Sequence, residues 1–265
     1  MTPPILLTGG TGTLGRLVLP LLLAAGQQVR LLSRQPHEPA DGVEYVLGDL
    51  DTGAGADAAV DGVHTVLHLA GTQQGDGDKA RHLVAAAGPA GVRHLVHISV
   101  VGAERVPVLS RLDRAMFAYF ASKQDAEKVI MGSGIPWTVL RASQFHEPTL
   151  IVARAMAKLP VIPVPAGVRF QPVDAAEVAA RLAELTLAPP AGLVPDLAGP
   201  RIVPMGDLIR AYLRAAGRRR LIVPIPMAGG AYRAIRAGAN LAPDHADGHR
   251  TWEQFLADQA AVPAG

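Results

Sequence analysis

The apolar run Ile5–Leu6–Leu7 passes straight into TGGTGTLG, which sets Gly9, Gly12 and Gly15 where a strand hands over to a helix. A tight turn needs one glycine. Three at this spacing imply that something bulky and negatively charged comes close to the backbone. In this reading Gly9 permits the turn, Gly12 lets the backbone approach a pyrophosphate, and Gly15 allows close helix–sheet packing. The helix opening at Leu14 aims its free amides and positive dipole end at the phosphates, and Thr11 and Thr13 add hydroxyl donors. No Lys–Ser/Thr pair closes the loop, so it is not a P-loop.

The rest of the first half fits such a loop. Strand-like runs at Pro4–Thr8, Gln28–Ser33, Glu44–Leu47, Val63–Ala70, Val92–Val100 and Trp137–Arg141 alternate with helical patterns. The helices fall at Leu14–Ala25, around Lys79–Ala87, and from about Arg111 to Met131. Continuous apolar strands separated by helices predict a parallel sheet covered on both faces, and right-handed crossovers make it doubly wound. The fold class is therefore α/β, of the Rossmann type. The stretch LDTGAGADAAVDG lacks large apolar residues and predicts a short, loosely packed helix. After Arg141 the prolines cluster in LPVIPVPAGVRFQPV, a helix follows at Ala175–Leu187, and a strand–turn–helix unit covers Val194–Ala216. This predicts a dinucleotide-binding core over residues 1–145, with 171–187 returning to it. Residues 146–265 form a small C-terminal substrate-binding cap that is not an independent domain.

Composition excludes several classes. With 265 residues, 49% hydrophobic and 18% charged, the chain reads as a compact enzyme-like domain and not as a disordered one. Net charge is only +2, and the one dense basic run, Arg218–Arg219–Arg220, has no aromatic interleaving, so no nucleic-acid partner is expected. There is no cysteine, hence no disulfide, thiol nucleophile or thiolate metal site. No secretory signal opens the chain, and no stretch reaches the roughly 18 apolar residues of a membrane span. A cytoplasmic protein without membrane contact is expected.

Four further features carry chemistry. At the end of the second strand, where a binder of the unphosphorylated cofactor places an acid, stand Ser33 and Arg34. A hydroxyl and a guanidinium suit a 2′-phosphate, which favours NADP(H) over NAD(H). Asp49 and Leu50 follow the third strand, where an aspartate can accept from the adenine amino group. Leu69, Ala70 and Gly71 follow the fourth, where small residues let a cofactor lie against the strand end. Finally, Tyr119 and Lys123 stand four apart in AYFASKQDAEKVI, which puts phenol and ammonium on one helix face. Such a tyrosine can give or take the proton that accompanies hydride transfer at a carbonyl.

Taken together, TGGTGTLG, LSR, GDL, HLAG, HIS, YFASK and WTVLRASQF resemble the short-chain dehydrogenase/reductase superfamily from the start to about Phe145. SGIPWTVLRASQFHE and FQPVDAAEVA are similar to its atypical, NmrA-like NAD(P)H-binding branch, and the likeness continues through Ala239–Pro243 and Trp252–Leu256. The resemblance implies a Rossmann fold holding NADP(H). It assigns Lys123 to the nicotinamide ribose and Tyr119 to proton transfer, and it runs Ser143, Gln144 and Phe145 beside the nicotinamide. Many members carry a Ser or Thr near the fifth strand for the substrate carbonyl. Here Ser99 is followed by two valines, and it either takes that part or lines the cofactor groove.

His64, His68, His94 and His97 sit in or beside apolar strands and read as sheet-surface or core-edge residues without metal-ligand spacing. His146, just after the nicotinamide segment, is either a substrate-contacting or proton-transferring residue or a hydrogen-bonded loop histidine. The function expected is an NADPH-dependent oxidoreductase that passes hydride to a small carbonyl, quinone or activated double bond. Its pocket is formed by Gln144–Glu147, Leu159–Phe170 and the cap. The alternative is a non-catalytic NADP(H)-binding redox sensor. A small-molecule partner and a monomer or homodimer are expected.

Overall fold

The computed structural model describes residues 3–38 and 40–261. In chain order its first elements are β1 (Ile5–Thr8), α1 (Thr13–Ala24), β2 (Val29–Ser33), β3 (Val43–Leu47), α2 (Ala56–Val60), β4 (Thr65–His68), α3 (Asp76–Ala87) and β5 (His94–Val100). Then come α4 (Arg111–Met131), β6 (Trp137–Ala142), α5 (His146–Met156), β7 (Val161–Pro165), β8 (Arg169–Phe170), α6 (Ala175–Leu187) and β9 (Gly192–Leu193). The chain continues through β10 (Val203–Pro204), α7 (Met205–Ala215), β11 (Leu221–Ile225), α8 (Gly230–Ala237) and α9 (Trp252–Ala261).

Seven strands form one parallel sheet in the order β3-β2-β1-β4-β5-β6-β9, with helices on its faces. This is the doubly wound Rossmann-like fold. Strand order reverses between β1 and β4, and ligands of such sheets bind outside the carboxyl ends of the strands at that point. The central strands are apolar on both sides because both faces are covered: every residue of β1 and of β5 is buried. The register sets Thr8 beside His68 and His68 beside His97.

Two expectations are corrected. Helix α2 is short but not loose: Ala56, Ala59 and Val60 are 4%, 0% and 1% exposed and belong to an apolar core cluster with Leu6, Val66 and Leu95. Alanine's small side chain permits close approach, so the lack of large residues does not mean poor packing. His68 and His97 are fully buried and His94 nearly so, not at the core edge. Each finds one hydrogen-bond partner, respectively Thr8 Oγ1 at 2.8 Å, the His68 carbonyl at 3.2 Å and Thr138 Oγ1 at 2.8 Å. Helix α4 spans the expected residues but breaks at Phe117, where φ is −131° and ψ is 17°.

The chain divides into two compact units. The first holds the residues up to Ser99 with Ala118–Arg141 and Ala176–Pro195. The second holds Val100–Phe117, Ala142–Ala175 and the residues from Asp196 onward. Within the second, β7 pairs with β11 in parallel and β8 with β10 antiparallel. Its packing centres on Leu150, Leu208, Trp252, Phe255 and Leu256, with a second cluster around Ile162, Ile209 and Leu213. Among the described residues no helix is long and apolar enough to cross a membrane.

Candidate functional site

The loop between β1 and α1 is built around its glycines. Gly9 has φ +72°, and a Cβ there would lie 2.6 Å from the Ala70 nitrogen and 2.7 Å from the Leu69 carbonyl carbon. Only glycine lets this turn rest on the end of β4. A Cβ on Gly15 would come within 2.4 Å of Gly10 Cα and of the Gly9 oxygen. Gly15 therefore makes room for the loop itself, not for the sheet. Gly12 differs: its Cβ would meet only the Gly9 oxygen, at 3.2 Å, and Thr11, Gly12 and Thr13 are exposed. Leu14 is buried beneath the first turn. Helix α1 has no side-chain cap and no acid in that turn, so its first amides and positive dipole end are open to an anion.

At the end of β2, Ser33 is engaged locally. Its Oγ accepts the Gln35 N–H at 3.2 Å and lies 2.8 Å from His37 Nε2, while the His37 ring stacks on Tyr45 with centroids 4.8 Å apart. Arg34 beside it is exposed and makes no ion pair among the described residues. His37 carries no sequence signal, because its link to Ser33 depends on how the loop after β2 folds back. After β3, Asp49 accepts the Asp51 N–H at 2.9 Å and closes a local turn. The Leu50 side chain belongs to the core, at 5% exposure. After β4, the Leu69 and Ala70 N–H groups donate to the Thr8 carbonyl and Thr8 Oγ1, at 3.1 and 3.3 Å.

Tyr119 and Lys123 share a face of α4, with the Lys123 Nζ 5.7 Å from the Tyr119 ring centroid. The phenol is 39% exposed, whereas Lys123 is 5% exposed and sits 3.0 Å from the carboxylate of Asp76, which is fully buried. A Cβ on Gly71 would lie 2.6 Å from that ammonium, which ties the end of β4 to α4. On the sheet, His68 and His97 stack with centroids 5.1 Å apart. Burial, then the charges of Lys123 and Lys79, push His68 down to about 3, and burial holds His97 well below its ordinary value. Both rings are neutral near pH 7. Ser99 Oγ is buried with no hydrogen-bond partner.

The first unit thus brings together the glycine loop, Leu69–Gly71 and Lys123 through direct contacts. Its residues fit a dinucleotide: an exposed glycine cradle, uncapped amides, and an orphaned buried hydroxyl on Ser99. Ser143, Gln144, Phe145 and His146 lie in the second unit. Ser143 Oγ donates to the Gln171 carbonyl at 2.5 Å, the Gln144 carbonyl accepts the Val173 N–H at 2.9 Å, and Phe145 bridges to Val173. His146, a candidate substrate contact in the sequence, is the first residue of α5. It is 0% exposed, stacks on Phe255 at 5.0 Å, and its Nε2 is 3.1 Å from the Arg250 carbonyl. Its ring is part of the packing against α9.

Comparison with known proteins places the chain in a family. Residues 9–185 match the family described as NAD(P)H-binding. The (4-alkanoyl-5-oxo-2,5-dihydrofuran-3-yl)methyl phosphate reductase of Streptomyces griseus is 32% identical over 221 residues, covering 81% of this chain and 74% of that protein. The NAD(P)H azoreductase of Xenophilus azovorans is 28% identical over 221 residues, with the same two shares of 81% and 74%. Among solved structures, the NADPH complex of the quinone oxidoreductase QOR2 from Escherichia coli superposes with a TM-score of 0.79 at 20% identity, covering 96% of this chain and 99% of that one. By family match, by relatives and by fold, this chain belongs to the NAD(P)H-binding family.

Proposed function

We propose that the protein is an NADPH-dependent oxidoreductase of the short-chain dehydrogenase/reductase superfamily, in its NmrA-like branch. Its substrate class is a small carbonyl, quinone or activated double bond. The observation that carries this reading is the exposed Tyr119 phenol with the Lys123 ammonium over its ring, on a helix whose lysine touches Gly71 beside the glycine loop. The names of the relatives, reductases of furanone phosphates, azo compounds and quinones, support the same class.

When bound, the nicotinamide supplies the hydride. The protein's own residues do the rest. The loop Gly9–Gly15 and the first amides of α1 hold the pyrophosphate, and Arg34 meets the 2′-phosphate as a charge-assisted donor. Lys123 donates to the nicotinamide ribose. Tyr119 Oη would give its proton to the substrate atom left negative by hydride addition, an alkoxide oxygen or an enolate, and regain one from solvent, to which it is open. A second reading is a non-catalytic NADP(H) sensor. It is favoured by one observation: the Tyr119 phenol oxygen has no hydrogen-bond partner among the described residues. Oxidation of NADPH against a panel of quinones, ketones and azo dyes separates the two. Turnover with any member supports the enzyme, and tight NADPH binding without turnover across the panel supports the sensor.

A further inference from the structure

Asp76 opens α3 and is 0% exposed. A fully buried carboxylate survives only when it is paired and hydrogen-bonded. Its contacts reach α4 and the turn that precedes α3. Oδ2 lies 3.0 Å from Lys123 Nζ, and Oδ1 accepts the Thr72 N–H at 2.7 Å. The Asp76 N–H donates to Ser122 Oγ at 3.0 Å, so a single residue of α3 holds two consecutive residues of α4. A second buried lysine, Lys79, stands 4.0 Å from Oδ1, but its ammonium is committed to Asp51 at 2.7 Å and to Thr72 Oγ1 at 3.1 Å.

We propose that Asp76 is the positioning residue that fixes the Lys123 ammonium in the dinucleotide site. The inference rests on the reading of Lys123 as a cofactor-binding residue. Lysine is a point charge on a flexible four-carbon stem, and without a fixed partner it has no defined reach. Asp76 supplies that partner as a buried ion pair, with Oδ2 3.0 Å from the ammonium. The ammonium has no other hydrogen-bond partner among the described residues, which leaves protons for ligand hydroxyls. Gly71 completes the arrangement. It is exposed while the ion pair is buried, and a Cβ there would lie 2.6 Å from Lys123 Nζ and 3.0 Å from Asp76 Oδ2. The fixed ammonium thus lies beside the one residue type that admits it so close to the backbone. An asparagine could accept the Thr72 N–H equally well, but it could not offset the lysine charge.

An ordinary structural role, an acid in the first turn of α3 favoured by the helix dipole, would affect stability whether or not Lys123 is present. A double-mutant cycle separates the two. NADPH affinity is measured by fluorescence titration, and thermal unfolding without ligand, for wild type, Asp76→Asn, Lys123→Met and the double variant. Positioning predicts that each single change weakens NADPH binding about tenfold or more, as expected for a hydrogen bond from a charged donor. In the Lys123→Met background, Asp76→Asn then weakens it less than about twofold further. Asp76→Ser, smaller and a good acceptor at a helix start, is the second variant if Asp76→Asn does not fold, with the same outcome expected. Unchanged affinity in Asp76→Asn, or losses that multiply in the double variant, overturn the inference while leaving the cofactor reading intact. No NADPH binding by wild type overturns both.

Discussion

The buried histidine pair makes acid stability a quantitative test of the core beside the candidate site. His68 is pushed down to about 3, first by burial and then by the charges of Lys123 and Lys79. His97 is held well below its ordinary value by burial, by His68 and by Lys123. In the unfolded chain both titrate near the ordinary histidine value of about 6.5. Below that pH the unfolded chain takes up protons that the folded protein refuses. Stability is therefore full above about 6.5 and is lost as pH falls towards the folded-state value. Integrated from pH 7.5 to pH 5, the loss is about 2 kcal/mol for His68, and His97 adds to it in the same direction. That is a large fraction of the roughly 5–15 kcal/mol typical of a domain. Most carboxylates stay ionised over this window, and His94, also lowered by burial, acts in the same direction. Urea denaturation at half-unit steps from pH 7.5 to pH 5 reads the slope directly. The account predicts a progressive fall, shallower in a His97→Leu variant at matched pH. Stability that stays level over the window, or a slope unchanged by His97→Leu, refutes the reasoning.

The glycine loop separates packing from binding. Gly15→Ala forces a Cβ to within 2.4 Å of backbone atoms and should cost about 1–3 kcal/mol or more, seen as a Tm lowered by about 2–4 °C per kcal/mol. Gly12→Ala meets only one oxygen, at 3.2 Å, so its Tm should stay near wild type while NADPH affinity falls. Arg34→Ala should weaken NADPH about tenfold or more and leave NADH binding unchanged, as titrations with the two cofactors will show. Equal losses for both would remove Arg34 from the 2′-phosphate site.

The parallel core was legible because its strands are buried on both faces, so the apolar runs mark β1, β2, β5 and β6 to within two residues. What escaped depends on partners distant in sequence. Asp76 stands in no motif, and its role emerges only when α3 and α4 bring it to Lys123. His68 and His97 look alike on paper to histidines facing solvent; the register that stacks them is set by the pairing of β4 with β5. His146 follows the predicted nicotinamide segment, yet its ring packs on Trp252 and Phe255, more than a hundred residues away. Alanine misled in α2, where smallness permits tight packing. The short strands β7, β8, β10 and β11 pair across proline-rich segments whose local pattern carries no register.

The central claim is that Tyr119 completes hydride transfer in an NADPH-binding site. The most direct measurement is kcat for NADPH oxidation, with the best acceptor of the panel, in wild type and Tyr119→Phe, alongside NADPH affinity. The account predicts a loss of about 100-fold or more in kcat with affinity within about twofold of wild type. Undiminished turnover in Tyr119→Phe would contradict it.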